Sequence, residues 1–339
     1  MPENRPEIRH NWTVDEAAEL LGLPFLDLAH RAQSVHRITQ PANRVQLCTL
    51  SNIKSGGCPE DCAYCPQSAR YATGVQAERL LPLETVLEQA SCAAARGASR
   101  FCMGAAWRQV RDNADFDAVL DMVRGVSDLG LEVCATLGMV DDAQAIKLEA
   151  AGLTAYNHNI DTSPEYYDRV IGTRDFDDRI KTLEAVRQAG LSVCSGGIVG
   201  MGETVRDRAG MLVTLANLPT HPESVPINSL VAVDGTPLED AEPIDSFDFL
   251  RTIAAARVMM PESRIRLAAG RSTLSREGQA MAFLCGANSI FYGDRLLTTD
   301  NPEWSADQAL LETLGMRALG ARPRRQEPLK SRCEPQPSA

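Results

Sequence analysis

The sequence predicts an α/β protein with the (βα)8 TIM-barrel architecture, preceded by a helical extension and followed by a disordered tail. Eight short β-rich segments alternate with amphipathic helical segments over most of the 339 residues, and this alternation favours a barrel of parallel strands. A doubly wound sheet is the alternative, because it has the same alternation. We place the helical extension in residues 1–44, the barrel in residues 45–315 and the tail in residues 316–339.

The eight predicted strands are short runs of apolar and β-branched residues separated by helical segments. They cover residues 45–50, 100–105, 132–137, 154–160, 192–199, 224–231, 264–269 and 288–292.

The clearest helices are predicted at three places. Thr13 precedes an apolar-periodic run through Leu20 and Leu21, so we expect it to cap the first helix. Residues 116–129 and 176–189 form the two strongest amphipathic patterns, and each is followed by a glycine suited to a helix C-terminus, Gly130 and Gly190.

Composition narrows the class of protein. The formal net charge of −11 argues against binding nucleic acid through a broad basic face. The first residues lack the apolar core of a signal peptide, and no apolar run approaches a membrane span, so we expect a cytoplasmic protein without a membrane partner. In a reducing compartment ten cysteines are not expected to form disulfides, and some of them should bind metal. The Pro-rich and charged segment from Arg322 onward is expected to be disordered.

The strongest motif is a cysteine triad directly after the first predicted strand. Cys58, Cys62 and Cys65 have the spacing Cys-x3-Cys-x2-Cys, and thiolates are the usual ligands of iron–sulfur clusters. Three ligands leave one iron of a four-iron cluster open, and with this spacing the open iron binds and reduces S-adenosylmethionine (SAM). A structural zinc site is the weaker alternative, because it normally needs a second cysteine or histidine pair.

A second set of residues lies one per predicted strand. Cys102, Cys134, Cys194 and Arg266 fall in four different strands. A single cysteine in a strand is usually a small buried apolar residue, but three beside the triad indicate a second, smaller cluster. Arg266 would be an unusual fourth ligand or a neighbouring charge, since arginine keeps its proton in proteins.

Strand alternation also predicts a polar cavity. Asn157, Asn159 and Asp161 share one face of the fourth strand, as do Ser224 and Asn228 in the sixth. Polar residues of one parity on several strands indicate a functional cavity rather than a dry core.

Five segments together resemble the biotin synthase family of radical SAM enzymes. They are residues 58–68, 101–107, 156–163, 193–200 and 286–293, and the resemblance extends from about residue 40 to residue 310. Unrelated radical SAM enzymes share the triad but not the later segments. The resemblance implies a homodimeric (βα)8 barrel that inserts sulfur into dethiobiotin to form biotin.

The resemblance also implies roles for individual residues. It implies a [4Fe–4S] cluster at the triad and a [2Fe–2S] cluster, the sulfur donor, held by Cys102, Cys134, Cys194 and Arg266. It places Tyr64, Asn159, Asp161 and Arg179 at SAM, and Asn157, Asn159, Asn228, Thr298 and Thr299 at dethiobiotin. A reducing electron donor of the flavodoxin or ferredoxin type and the iron–sulfur assembly machinery are the implied partners.

One residue departs from the family pattern. Cys48, at the end of the first strand, stands where the family has serine. It is either a neutral replacement near the smaller cluster or an alternative thiolate ligand. Cys92, Cys285 and Cys333 match no motif and are interpreted as structural or incidental.

Overall fold

The computed structural model describes residues 5–293 and 296–320. The strands are β1 (Arg44–Lys54), β2 (Arg100–Ala105), β3 (Glu132–Thr136), β4 (Ala155–Asn157), β5 (Ser192–Cys194), β6 (Gly197–Val199), β7 (Ser224–Ser229), β8 (Arg264–Leu267), β9 (Ser289–Phe291) and β10 (Arg317–Ala318). The α-helices are α1 (Val14–Gly22), α2 (Phe25–Thr39), α3 (Leu83–Ala95), α4 (Ala114–Asp128), α5 (Asp142–Ala150), α6 (Pro164–Tyr167), α7 (Phe176–Gln188), α8 (Val205–Ala216), α9 (Ser246–Met259), α10 (Arg276–Leu284) and α11 (Trp304–Thr313).

The strands close into a barrel of eight parallel staves. The order around the barrel is β1, β2, β3, β4, β5, β7, β8 and β9, and β6 pairs with β7 as the second half of the fifth stave. The barrel closes where β9 pairs with β1, with Leu47 opposite Ile290 and Cys48 opposite Phe291. The predicted (βα)8 fold class is confirmed, and the doubly wound alternative is excluded because an open sheet would not join its first and last strands.

The predicted strands and the observed ones differ most at the fourth and fifth staves. β4 ends early, at Asn157, and β5 and β6 are two parts of the predicted strand 192–199. Between these parts, a Cβ atom on Gly196 would lie 1.9 Å from the carbonyl oxygen of Pro226. Only glycine permits so close an approach of two backbones, and this approach interrupts the strand.

The helical extension is attached to the outside of the barrel by specific hydrogen bonds. Thr13 caps α1 as predicted: its hydroxyl accepts from the backbone N–H of Glu16, whose carboxylate accepts from the N–H of Thr13. Trp12 and Asn217 exchange two hydrogen bonds of 2.9 and 2.8 Å, which join the start of α1 to the end of α8. α1 packs on α8, and α2 packs on α9.

The two glycines that were predicted to end helices have backbone φ angles in the left-handed region. Gly130 follows α4 with φ of 84°, and Gly190 follows α7 with φ of 80°.

Buried apolar side chains fill the space between the helices and the strands, for example Phe116 of α4 and Val186 of α7. Each such side chain contributes about 1.5–3 kcal/mol through burial.

The last described residues add a short strand. Arg317 and Ala318 pair in parallel with Arg44 and Val45 of β1, so the first few residues of the region predicted as a tail belong to the sheet. Residues 321–339, with Cys333, lie outside the described residues. The predicted limits of the three regions otherwise stay predictions. None of the helices in residues 5–293 and 296–320 has the length and apolar character needed to cross a membrane.

Candidate active site

A cavity of about 320 Å³ opens at the carboxyl ends of the strands. In TIM barrels this end carries the functional side chains. Of the residues singled out in the sequence as site residues, Cys194, Cys48 and Ser224 are buried and do not border this cavity. The others border it: Cys58, Cys62, Tyr64, Cys65, Cys102, Cys134, Asn157, Asn159, Asp161, Arg179, Asn228, Arg266, Thr298 and Thr299.

The triad lies in a tight loop that its own backbone holds closed. The N–H of Cys58 donates to the carbonyl of Gln67 at 3.0 Å, and the N–H of Cys65 donates to the carbonyl of Cys62 at 2.9 Å. The loop begins at Gly56, which has φ of 65° and where a Cβ atom would lie 2.4 Å from the carbonyl oxygen of Gln76. Glycine is therefore required for the chain to enter the loop at this point.

Acidic residues inside the triad fix the loop to the segment that follows α6. The Oδ1 atom of Asp61 accepts from the backbone N–H groups of Gly172 and Thr173 at 2.9 and 3.0 Å. Glu60 is buried and lies 3.3 Å from both Arg108 and Arg174. These contacts hold the three thiols in place before any ligand binds.

The chemistry of the triad fits a metal cluster better than a catalytic nucleophile. Burial raises the pKa of Cys62 to about 12 and that of Cys65 to about 11, whereas nucleophilic cysteines have lowered pKa values. No second cysteine or histidine pair follows the triad in residues 66–91, which argues against the zinc alternative. Three sulfur donors at a cavity wall suit a larger cluster, whose iron would deprotonate them.

Asp161 is fixed in a strained backbone conformation beside the triad. Its φ of 68° is in the left-handed region, which is uncommon for residues other than glycine. Arg179 of α7 donates to its Oδ2 atom and also, at 3.0 Å, to the hydroxyl of Tyr167. Burial opposes the charge on Arg179, but the carboxylate of Asp161 outweighs this effect and raises the pKa of Arg179.

Amide side chains line the middle of the cavity in a connected network. The Nδ2 atom of Asn157 donates to the Oδ1 atom of Asn159 at 3.1 Å, and the N–H of Gly196 donates to the same oxygen at 3.2 Å. Because both bonds use the oxygen of Asn159, its two amide hydrogens are available to a ligand. Asn228 bridges two staves: it donates to Gly197 and accepts from Ala269.

Thr298 and Thr299 border the cavity from the loop after β9. The N–H of Leu296 donates to the carbonyl of Thr299 at 2.9 Å. At the far end of the loop, Asn301 donates to the carbonyls of Phe291 and Gly293. The loop therefore presents two hydroxyl groups from a backbone that is attached to the barrel.

The deeper cysteines form a buried layer at the floor of the cavity. Cys102, Cys134 and Cys194 come from β2, β3 and β5, and they pack together with Cys48 of β1. Hydrogen bonds from the thiols of Cys102 and Cys194 lower the pKa of Cys134 well below its usual value. Arg266 is buried among them and donates from Nη1 to the sulfur of Cys194 at 3.6 Å. The four groups predicted from four strands are thus neighbours.

Three further residues belong to this environment and were not identified from the sequence as site residues. Arg174 and Glu60 border the cavity and are almost fully buried. Arg100 is buried near the deeper cysteines and pairs with Glu132 at 2.9 Å. A buried arginine has no sequence signature of its own, because strand alternation predicts which face it occupies but not which charge it meets.

Solved structures share this architecture. Methylornithine synthase superposes with a TM-score of 0.77 over 91% of this chain and 94% of its own, at 20% identity. The FeFe-hydrogenase maturase HydG from Carboxydothermus hydrogenoformans also gives 0.77, over 91% and 76% of the two chains, at 15% identity. At these identities the likeness establishes the fold alone.

Residues 52–215 match the family model of the radical SAM superfamily, and residues 226–317 match that of the biotin and thiamin synthesis associated domain. With the triad at the mouth of the barrel, these matches define a radical SAM enzyme. A biotin synthase from Synechococcus elongatus is 62% identical over 312 residues, which are 92% of this chain and 98% of the relative. One from Myxococcus xanthus is 58% identical over 93% and 91% of the two chains. The chain belongs to the biotin synthase family.

Proposed function

We propose that this protein converts dethiobiotin to biotin by inserting one sulfur atom with the help of radicals generated from SAM. The observation that carries the proposal is the arrangement of two cysteine sets in one cavity. The triad is at the mouth, the deeper cysteines are at the floor, and amide and hydroxyl side chains lie between them. A substrate held in the middle would meet both sets.

In this proposal Cys58, Cys62 and Cys65 hold a [4Fe–4S] cluster. Bound there, the cluster and SAM supply a primary carbon radical, which removes hydrogen from C–H bonds that no side-chain acid or base can attack. The contribution of the chain is positioning and the exclusion of water. Asp61 and Glu60 fix the loop that carries the three thiols.

Three of the residues proposed to bind SAM, Tyr64, Asp161 and Arg179, lie close to Cys62 of the triad. Asn159 and Asp161 would bind the ribose hydroxyls, Tyr64 would pack against the adenine, and Arg179 would face the carboxylate. The bond from Arg179 fixes the Asp161 carboxylate, so the acceptor for a ribose is oriented before SAM arrives.

Dethiobiotin would bind between SAM and the floor. Its neutral urea group needs donors and acceptors in a fixed array, which Asn157, Asn159 and Asn228 provide. Its carboxylate would accept hydrogen bonds from Thr298 and Thr299. The bonds that Asn228 makes to Gly197 and Ala269 set the orientation of its amide group.

A second cluster, of the [2Fe–2S] type, would lie among Cys102, Cys134 and Cys194 with Arg266 against it, as the family resemblance implies. It would supply the sulfur atom of the product. The residues at this position fit such a cluster for two reasons. Three buried thiols face one another, and a buried guanidinium contacts one of their sulfurs. Buried thiolates next to a buried cation satisfy the charge requirement of such a site.

The proposal extends to partners. Reductive cleavage of SAM needs a one-electron donor of the flavodoxin or ferredoxin type, and loading two clusters needs the iron–sulfur assembly machinery. We also propose a homodimer that works in the cytoplasm, on the strength of the family resemblance.

The test is anaerobic reconstitution of the full-length protein with iron and sulfide, followed by assay with SAM, a reductant and dethiobiotin. We expect both biotin and 5′-deoxyadenosine. Deoxyadenosine without biotin would indicate a radical SAM enzyme with another substrate. Absence of both products from a cluster-loaded protein would favour an iron–sulfur electron carrier and contradict the proposal.

A further inference from the structure

A second cavity, of about 670 Å³, lies outside the barrel wall between β1, α3 and the start of α11. Its lining includes Ser51 of β1, Gln89 of α3 and Trp304 of α11. Among the described residues, four border both this cavity and the active-site cavity: Leu50, Leu296, Leu297 and Thr298. Three of these four belong to the loop after β9, so this loop forms part of the partition between the two cavities.

The side chain of Leu297 lies where Gly104 leaves space for it. A Cβ atom on Gly104 would lie 2.6 Å from the Cδ2 atom of Leu297, closer than unbonded carbon atoms come. Gly104 belongs to β2 and borders the active-site cavity. The absence of a side chain at this position therefore lets a leucine from the loop after β9 reach across to β2.

The backbone of Leu297 is attached at the same place. Asn52 of β1 is paired with Gly104 in the register of β1 and β2, and its Nδ2 atom donates to the carbonyl of Leu297 at 3.2 Å. One pair of strand residues thus holds Leu297 twice, because Asn52 binds its backbone and Gly104 accommodates its side chain. These contacts give the partition a defined position.

The partition lies at one end of the proposed substrate. Leu297 directly precedes Thr298, which we place at the carboxylate of dethiobiotin, and the ureido ring is placed at the other end, near Asn157 and Asn228. All four residues border the active-site cavity. A longer alkyl chain would carry the carboxylate past Thr298 and towards Leu297.

We propose that Leu297 limits the length of the alkyl chain that the active site accepts, by separating the carboxylate end of the substrate from the second cavity. The inference rests on the proposed function, since it takes the carboxylate to lie at Thr298 and Thr299. The substrate class is a cyclic urea with an unbranched alkyl chain that ends in a carboxylate. Leu297 acts on this class through shape alone, and it excludes the longer members.

The second cavity makes this proposal testable by truncation. Replacing Leu297 with a smaller residue would join the two cavities, and about 670 Å³ is ample room for added methylene groups. In an apolar site, one methylene group that does not fit changes the preference between two substrates by about 10-fold to 200-fold. Leu297→Ala should therefore relax a preference that the unmutated protein has.

The test compares dethiobiotin with its homologue whose alkyl chain is one methylene longer. Full-length protein, reconstituted anaerobically with iron and sulfide and supplied with SAM, is given both compounds in equal amounts. Mass spectrometry measures the ratio of the two sulfur-containing products, and equilibrium dialysis measures the two dissociation constants. The variants are Leu297→Ala and the milder Leu297→Val. The matched control is Leu230→Ala, because Leu230 borders the active-site cavity but not the second cavity.

We expect the unmutated protein to prefer dethiobiotin by about 10-fold to 200-fold in both measurements. Leu297→Ala should reduce this preference at least about 10-fold, because the added methylene enters the space that the leucine has left. Leu297→Val should give an intermediate preference, and it supplies the test if the alanine variant does not fold. Leu230→Ala should keep the preference of the unmutated protein.

Equal use of the two compounds by the unmutated protein would overturn the inference, whether or not any variant folds. An undiminished preference in a folded Leu297 variant would also overturn it, as would an equal loss of preference in Leu230→Ala. Failure of the unmutated protein to form biotin from dethiobiotin would instead contradict the proposed function. The two failures are therefore distinguishable.

Discussion

Arg179 of α7 donates a hydrogen bond to the carboxylate of Asp161, and both side chains are almost fully buried. This ion pair fixes a residue with a left-handed backbone at the wall where we place SAM. Removing one partner of a buried pair leaves an uncompensated charge, which is usually more costly than the pair is stabilising.

Asp161→Asn should lower the free energy of unfolding of the cluster-free protein by roughly 3–5 kcal/mol. Asparagine tolerates the left-handed backbone, so the loss should come from the unpaired guanidinium of Arg179. Urea denaturation followed by circular dichroism measures the change. The matched control is Asp15→Asn at the exposed Arg206–Asp15 pair, where we expect a change of at most about 1 kcal/mol. Equal effects at the two sites would contradict the importance of the buried pair.

Cys62→Ala should abolish reductive cleavage of SAM, because the proposed [4Fe–4S] cluster would lose one of its three protein ligands. The fold should be preserved, since the loop is held by backbone bonds and by Asp61. The measurement is 5′-deoxyadenosine formed under reducing conditions, with Cys92→Ala as the control. Formation at the unmutated rate by Cys62→Ala would remove the triad from the SAM site.

Thr298→Val should weaken the binding of dethiobiotin while leaving that of SAM unchanged. A hydrogen bond to a charged group contributes about 1.5–3 kcal/mol, so the dissociation constant should rise about 10-fold to 150-fold. The methyl ester of dethiobiotin lacks the charge, and its binding should respond much less to the substitution. An equal loss for acid and ester would mean that Thr298 does not meet the carboxylate.

His36 of α2 should make the protein less stable in mild acid. Burial lowers the pKa of His36 to about 4, and the nearby charges of Arg257 and Arg37 act in the same direction. The folded protein thus binds fewer protons than the unfolded chain, so stability is present above pH 6.5 and is lost as the pH falls towards 4. By pH 5 the free energy of unfolding should have fallen by about 2 kcal/mol more in the unmutated protein than in the His36→Gln variant. Urea denaturation measures both values. If the free energies of unfolding of the two proteins changed with pH in parallel, His36 would not be a neutral buried histidine.

The strands of the barrel could be predicted from the sequence, because the pattern of each strand is carried by residues that are neighbours in the chain. Short apolar runs and strand alternation predicted eight strands, and the structure has a strand at each of them. The break at Gly196 was missed because it arises from the carbonyl of Pro226 on another strand. β10 was missed because two residues, Arg317 and Ala318, form no pattern.

The candidate site likewise has one part that the sequence predicted and another part that it could not predict. The spacing of Cys58, Cys62 and Cys65 is local, and it located the mouth of the cavity. The contacts of Arg266 with the sulfurs of Cys48 and Cys194 depend on the registers of strands distant in sequence, and no local pattern contains them. The left-handed backbone of Asp161 likewise results from contacts with Gly196 and Ile198.

The central claim is that the protein inserts sulfur held in its own cavity into dethiobiotin. The most direct measurement is a single turnover of protein that has been reconstituted with ³⁴S-sulfide, freed of dissolved sulfide and supplied with SAM, reductant and unlabelled dethiobiotin. We predict biotin that carries ³⁴S, formed with 5′-deoxyadenosine and accompanied by loss of bound sulfide. Biotin without the label, formed while all bound sulfide is retained, would contradict the account.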